Sequence, residues 1–363
     1  ICSQNGEIRM NSALRDKLLK ISKDNKYANI LSNSQYIGKV DYIDTGVPAI
    51  NIALSADIDG GLSSGITILA GPSRHFKSGF ALLMAAAFLR KHENGIVLFF
   101  DSEFGMPIGY FETFNIDPEK VVHIPILNVE ELKFQAIKYL EAVERDEPVM
   151  IIIDSLGNLA SRKEVSDALD ENAARDMSRA GEIKSFYRII TPYTKLKNIP
   201  VIVINHTYKT MEKFSKDVIS GGNGNYYSSD TIWIIGRSQE KDDDELAGFK
   251  FTINVEKSRF VREKSKIPIT VNFEGGINRW SGLLDLALEG GYIAKPKVGW
   301  YAKVDRSTGE VDGKNFRAGD IVDNKDFWMT MFKETDFAAY IKRKYSLDSE
   351  GGLGYDDDET EAE

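Results

Sequence analysis

Hydrophobic positions along the chain follow two rhythms. Ile66–Ala70, Ile96–Phe100, Val149–Ile153, Val201–Ile204, Ile232–Ile235, Phe251–Val255 and Ile267–Phe273 are short apolar runs and are predicted strands. Between the early ones, Phe80–Lys91, Val129–Arg145 and Asp170–Arg188 carry apolar residues at helical spacing. Strands that are apolar throughout suit a parallel sheet covered on both faces, whereas the last ones lack intervening helices and read as antiparallel additions. The predicted fold class is α/β, a doubly wound and mostly parallel sheet with an antiparallel edge.

The ends differ from this middle. Leu14, Leu18 and Ile21, with Leu19 beside them, predict a short amphipathic helix within Asn11–Asp24. It is too small to fold alone, so it must dock on its own core or on a neighbouring subunit. Residues 25–40, rich in Asn, Ser and Lys, read as a linker, and the core is expected over 41–280. Residues 281–347 form a small carboxyl-terminal unit with an amphipathic helix near Phe337–Tyr345, and 348–363 an acidic tail expected to be disordered.

Composition narrows the picture. A chain of 363 residues can bury a full α/β core. Its longest strongly apolar stretch, Phe80–Leu89, is too short to cross a bilayer, and no basic-plus-apolar signal opens the sequence. Cys2 is the only cysteine, so a disulfide framework within one chain is excluded and a reducing, cytosolic setting fits. Residues 1–9 precede Met10 and read as an over-extended reading frame or an expression leftover, with a processed terminus as the alternative. The net charge of −9 misleads, because residues 348–363 hold eight acids and no Lys or Arg. Against that near-neutral body, Lys250, Lys257, Arg259, Arg262, Lys264 and Lys266 form a basic strip that suits either nucleic acid or a solvated sheet edge.

The candidate chemistry begins at Ala70–Ser78. Gly71, Lys77 and Ser78 stand at the spacing of G-x-x-x-x-G-K-S/T, after a predicted strand and before a predicted helix. Such a loop, here Gly71, Pro72, Ser73, Arg74, His75, Phe76, Lys77, Ser78 and Gly79, wraps a polyphosphate with main-chain N–H groups. The lysine neutralises phosphate charge and the hydroxyl ligates Mg²⁺, so a nucleoside triphosphate is the expected ligand. Phe76 occupies the place of the second glycine, which is expected to require a negative φ and a ring turned away from the phosphates.

Three more strands end in polar residues, where open α/β sheets bind ligands. Asp154 closes Val149–Ile153 and is the candidate metal acid across from Ser78; a helix-capping Asp is the alternative. Glu103, after Ile96–Phe100 and Asp101-Ser102, is the candidate for orienting the attacking water; a helix N-terminal acid is the alternative. Asn205-His206 follow Val201–Ile204, and His206 can hydrogen-bond a γ-phosphate and signal to the next segment; a merely satisfied polar residue is the alternative. That segment, Thr207–Ser229, holds Lys209, Lys213, Lys216 and Gly221-Gly222-Asn223-Gly224 and reads as a long, flexible, mildly basic loop.

Taken in order, AGPSRHFKS, LFFDSEFG, VMIIIDSLGNLAS, NIPVIVINHTY, the Gly-rich loop, NVEKSRFVREKSK and FEGGINRWSGLLDLAL resemble the RecA-type recombinases, from about Met10 to Leu347. They are most similar to the strand-exchange recombinases of T-even-like bacteriophages, whose phosphate loop also carries Phe in place of glycine. The resemblance implies a RecA-like phosphate-loop core with an amino-terminal polymerisation helix, and a DNA-dependent ATPase using ATP and Mg²⁺. It implies adenine stacking on Tyr110, trans-acting cations at Lys257 and Arg259, and a sensor at His206, where bacterial RecA has glutamine. Segments 157–176 and 207–229 correspond to the DNA-binding loops, with Arg162, Lys163, Arg175, Lys209, Lys213, Lys216, Gly221 and Gly222 as candidates. Implied partners are single- and double-stranded DNA, further copies of the chain in a head-to-tail helical filament, a phage mediator protein and a single-strand-binding protein. The setting implied is the host cytoplasm during infection, without membrane. A hexameric helicase on the same core and a non-catalytic DNA-coating protein are the alternatives.

Overall fold

The computed structural model describes residues 13–22, 24–25, 27–36, 40–170, 178–210, 217–242, 245–273 and 275–347. By its contacts the chain divides into two units, 1–41 and 42–363. The first contains a helix, α1, over 13–21 and a 3₁₀ turn at Leu31–Asn33 inside the predicted linker. Leu14, Leu18 and Ile21 of α1 are exposed. The predicted acidic tail, 348–363, lies outside the described residues.

The second unit opens with α2 (Pro48–Ser55), β1 (Gly65–Ala70), α3 (Lys77–Lys91), β2 (Ile96–Asp101), α4 (Ile108–Thr113), β3 (Val121–Pro125), α5 (Val129–Ala142) and β4 (Val149–Asp154). Next come α6 (Arg162–Leu169), α7 (Ser178–Leu196), β5 (Pro200–Asn205), β6 (Thr207–Lys209), β7 (Asp217–Ile219) and α8 (Gly224–Ser228). The long strands β8 (Thr231–Asp242) and β9 (Glu245–Ser258) follow, then β10 (Lys266–Asn272) and β11 (Gly276–Ile277). The carboxyl-terminal elements are α9 (Leu283–Glu289), β12 (Ile293–Lys297), β13 (Trp300–Val304), β14 (Val311–Arg317), α10 (Ala318–Val322), α11 (Lys325–Glu334) and α12 (Phe337–Tyr345).

Nine strands form one sheet in the order β11-β10-β9-β8-β1-β5-β4-β2-β3. The strands from β8 to β3 in that order are mutually parallel, and β9, β10 and β11 add antiparallel, as the sequence predicts. Alternation along the central strands feeds two cores. Leu69, Phe99, Met150, Ile152, Ile202 and Ile204 pack on one face with α2 and α3, while Ile68, Leu98, Phe100, Ile151, Ile153, Val201 and Val203 pack on the other with α5 and α7. Both faces are dry, which is why these strands carry no polar alternation. Trp280, Leu283, Tyr292, Trp328 and Phe337 from the carboxyl-terminal elements belong to the first of these cores.

Several boundaries differ from the sequence reading. The helix expected over Asp170–Arg188 is α7, which runs to Leu196 through Pro192. A proline inside a helix removes one main-chain donor, the one that would have reached the carbonyl four residues back, and beside it Thr191 Oγ1 donates to the Tyr187 carbonyl at 2.6 Å. The helix expected to reach Arg145 ends at Ala142. The segment 207–229 is less loop-like than expected: β6 and β7 pair as a hairpin and α8 follows. Among the described residues no helix is long and apolar enough to cross a membrane.

Candidate active site

The register of the sheet delivers the polar residues to one edge. Ala70 pairs with Asn205 and Asp101 with Asp154, so the residues that follow β1, β2, β4 and β5 emerge side by side. They line a cavity of about 470 Å³ with Ser73, Arg74, His75, Phe76, Lys77, Ser78, Gly79, Glu103, Tyr110, Asp154 and His206. Its volume falls within the range of small-ligand pockets.

The loop between β1 and α3 is held open by two left-handed residues, Arg74 at φ 61° and Phe76 at φ 57°. The expectation of a negative φ at Phe76 is therefore corrected, although the ring does turn inward. It stacks on Phe251 at 5.6 Å and meets Phe80 edge-on at 5.4 Å between centroids. Burial of the ring offsets the steric cost that glycine would have avoided. Gly79 is required beneath it, because a Cβ there would lie 2.5 Å from the Phe76 ring. Arg237, on β8, donates to the Arg74 carbonyl at 2.9 Å and braces the loop from outside. His75 Nδ1 lies 2.9 Å from the Ser73 carbonyl, and burial holds the imidazole below its ordinary pKa.

Lys77 opens α3 and is buried. Its Nζ donates to the carbonyls of Gly71 at 3.0 Å and Pro72 at 2.8 Å, and desolvation lowers its pKa. Ser78 Oγ donates to Asp154 Oδ2 at 2.7 Å. Asp154 Oδ1 is buried with no hydrogen-bond partner, and burial pushes the carboxyl up to about 6 despite the Ser78 bond. An orphaned carboxylate oxygen beside a hydroxyl fits a divalent cation. The donor set, one hydroxyl and one carboxylate, suits Mg²⁺, which keeps several waters and shares phosphate oxygens, better than a closed protein cage.

Glu103 faces this pair from the turn that follows β2. Asp101 shapes its turn, since Asp101 Oδ1 accepts from the N–H groups of Glu103 and Phe104, both at 2.9 Å. Glu103 Oε1 accepts from Ser155 Oγ at 2.7 Å and Asn158 Nδ2 at 2.9 Å, and lies 3.3 Å from His206 Nε2. His206 foremost, then Ser155 and the charge of Lys77, hold the Glu103 carboxyl below its ordinary pKa against the opposing effect of burial. Ser155, Asn158 and the turn-shaping Asp101 were not singled out from the sequence. The signal available was their position, immediately after strand-end acids or at the strand end itself. His206 approaches because Gly157 leaves room: a Cβ at Gly157 would lie 2.7 Å from the His206 ring.

Lys257 and Arg259 are not brought to this cavity. Lys257 Nζ donates to the carbonyls of Tyr226 and Ser229, the latter at 2.8 Å, and Arg259 Nε pairs with Asp230 at 2.6 Å. Asp230 Oδ2 in turn accepts from the Ile66 N–H, at the start of β1, whereas the phosphate loop follows the end of β1. Two more cations of the basic strip have local partners: Lys250 binds Asp285 at 2.9 Å and Arg262 the Ser346 carbonyl at 2.8 Å.

Of the residues predicted to meet DNA, Arg162 and Lys163 open α6, where Lys163 pairs with Asp167 at 2.6 Å. Lys209 ends β6, and Gly221 and Gly222 take φ of 93° and 76° beyond β7. Arg175, Lys213 and Lys216 lie outside the described residues. Asn205 ties this region to the sheet, donating to the Ser220 carbonyl at 3.0 Å.

Comparison with known proteins places this geometry. The RecA N-terminal domain matches residues 12–278, and the C-terminal domain of the bacteriophage T4 recombination and repair protein matches 280–341. The chain is 48% identical over 340 residues to the "Recombination and repair protein" of Enterobacteria phage T4, covering 93% of this chain and 86% of that protein. It is 26% identical to the "Protein RecA" of Geobacter metallireducens, covering 79% of this chain and 83% of that one. For the "Protein RecA" of Tropheryma whipplei the identity is again 26%, covering 92% and 77%. The chain therefore belongs to the RecA family and, within it, to the UvsX branch that the phage T4 protein represents.

Proposed function

We propose that this chain is an ATP-dependent DNA recombinase that assembles head to tail on single-stranded DNA, pairs it with homologous duplex and exchanges strands. Membership of the RecA family carries the recombinase reading. The observation that carries the ATP-dependent part is the meeting of Lys77, Ser78 and Asp154 with the Glu103–His206 pair in one cavity.

In this reading the main chain of 71–79 and Lys77 bind the triphosphate, and Tyr110 stacks on the base. Ser78 and Asp154 would hold Mg²⁺, which would supply charge neutralisation at the phosphates. Glu103 is a poor base, because three donors keep its carboxylate ionised, but a good acceptor for aiming a water at the γ-phosphate. His206 reports the γ-phosphate to segment 207–229, which it opens. Arg162, Lys163, Arg175, Lys209, Lys213, Lys216, Gly221 and Gly222 contact DNA, and Lys257 and Arg259 complete the site of a neighbouring subunit. The host cytoplasm is the setting, with a mediator and a single-strand-binding protein as partners.

Two variants test it. Lys77→Ala should lower ATP turnover by about 100-fold or more and abolish joint-molecule formation between circular single strands and homologous linear duplex. Glu103→Gln should bind ATP and DNA together yet turn over at a similarly low rate. Equal loss of nucleotide binding in both would make Glu103 a structural residue and remove its assigned role.

A further inference from the structure

One guanidinium joins the two segments that flank the Glu103–His206 pair. Arg179, in the first turn of α7, donates from Nε to the Leu159 carbonyl at 2.6 Å and from Nη2 to the carbonyls of Gly157 at 2.8 Å and Leu156 at 3.2 Å. Its Nη1 donates to Ser220 Oγ at 3.3 Å. Each segment ends on the pair itself. Residues 156–159 carry Asn158, which donates to Glu103, and Ser220 donates its N–H to the His206 carbonyl at 2.9 Å.

From this geometry we propose that Arg179 is the positioning residue through which DNA engagement reaches Glu103. The inference rests on the DNA-dependent ATPase reading above. The fork holds the 156–159 carbonyls at fixed distances from Ser220, so neither segment can shift without the other. A displacement of α6 or of the β6–β7 hairpin is then converted into a change at Asn158 and His206, the two side chains that set where Glu103 points. Arg179 is half-buried and spends three nitrogens on these bonds, a pattern that a lysine ammonium cannot reproduce.

The test uses the full chain and compares Arg179→Ala and Arg179→Lys with the parent in four readouts: nucleotide affinity, ATP turnover without DNA, turnover with saturating single strand, and single-strand affinity with a slowly hydrolysed analogue. Both variants should keep the nucleotide affinity, the DNA-free rate and the DNA affinity while the stimulation by DNA falls about 10-fold. Millimolar guanidinium should restore part of it to Arg179→Ala, and methylammonium should not. Undiminished stimulation in either folded variant would overturn the proposal. So would loss of stimulation in step with lost nucleotide affinity, or lost DNA affinity alone, which would make Arg179 a scaffold or a DNA ligand. If Arg179→Ala does not fold, Arg179→Lys carries the same criteria. A parent protein without DNA stimulation would overturn the ATPase reading itself, and this inference with it.

Discussion

Asp154 shows what it costs to bury a single carboxylate. Its pKa rises from 3.8 to about 6 because burial penalises the ionised form more than the Ser78 bond relieves it. A group raised in this way destabilises the folded chain wherever it is ionised. The penalty is fully present above about pH 6, shrinks as pH falls below that value, and vanishes once the unfolded chain is also protonated. A rise of that size corresponds to about 3 kcal/mol. Asp154→Asn, measured in a chelator at pH 7.5, should therefore melt a few degrees above the parent, with the gap closing by pH 4, while ATP turnover is lost. A variant that melts lower at pH 7.5 would contradict the assignment. The sequence revealed Asp154, Lys77 and Ser78 because strand ends and a spaced motif mark them. It did not reveal Ser155 or Asn158, whose role depends on which oxygen of Glu103 they meet across the sheet.

Elements were legible where their hydrophobic period was strong. The central strands and α3 follow from unbroken apolar runs, but β3 was missed because an edge strand exposes Val122 and His123. The helix α2 was missed because all eight of its residues are buried, which erases the polar face that marks a helix. The phosphate loop shows the same limit. A left-handed Phe76 costs roughly 1–2 kcal/mol, while its ring against Phe80 and Phe251 contributes about 2–3 kcal/mol. Phe76→Gly restores the common motif and relieves the strain, yet it also removes the ring packing, which outweighs that strain. The variant should therefore lose about 1 kcal/mol by chemical denaturation while still binding ATP. A gain in stability would mean that strain, and not packing, dominates the loop.

At the scale of the whole molecule, the carboxyl-terminal elements pack into the core of the sheet, a merger that no local pattern announces. Lys257 and Arg259 are held by Ser229 and by Asp230, which binds the start of β1, whereas the phosphate loop follows its end. If they serve a neighbour, alanine at both should spare nucleotide binding and reduce DNA-stimulated turnover. Mixing that variant with Lys77→Ala should then recover activity, because some junctions pair an intact loop with intact cations. No recovery in demonstrably mixed assemblies would confine both residues to a structural role. The central claim, a nucleotide-controlled recombinase filament, is tested most directly by electron microscopy of the full chain on single-stranded DNA with a slowly hydrolysed ATP analogue. Open helical filaments that form with the analogue and dissolve with ADP are expected; closed rings, or a coat indifferent to nucleotide, would contradict it.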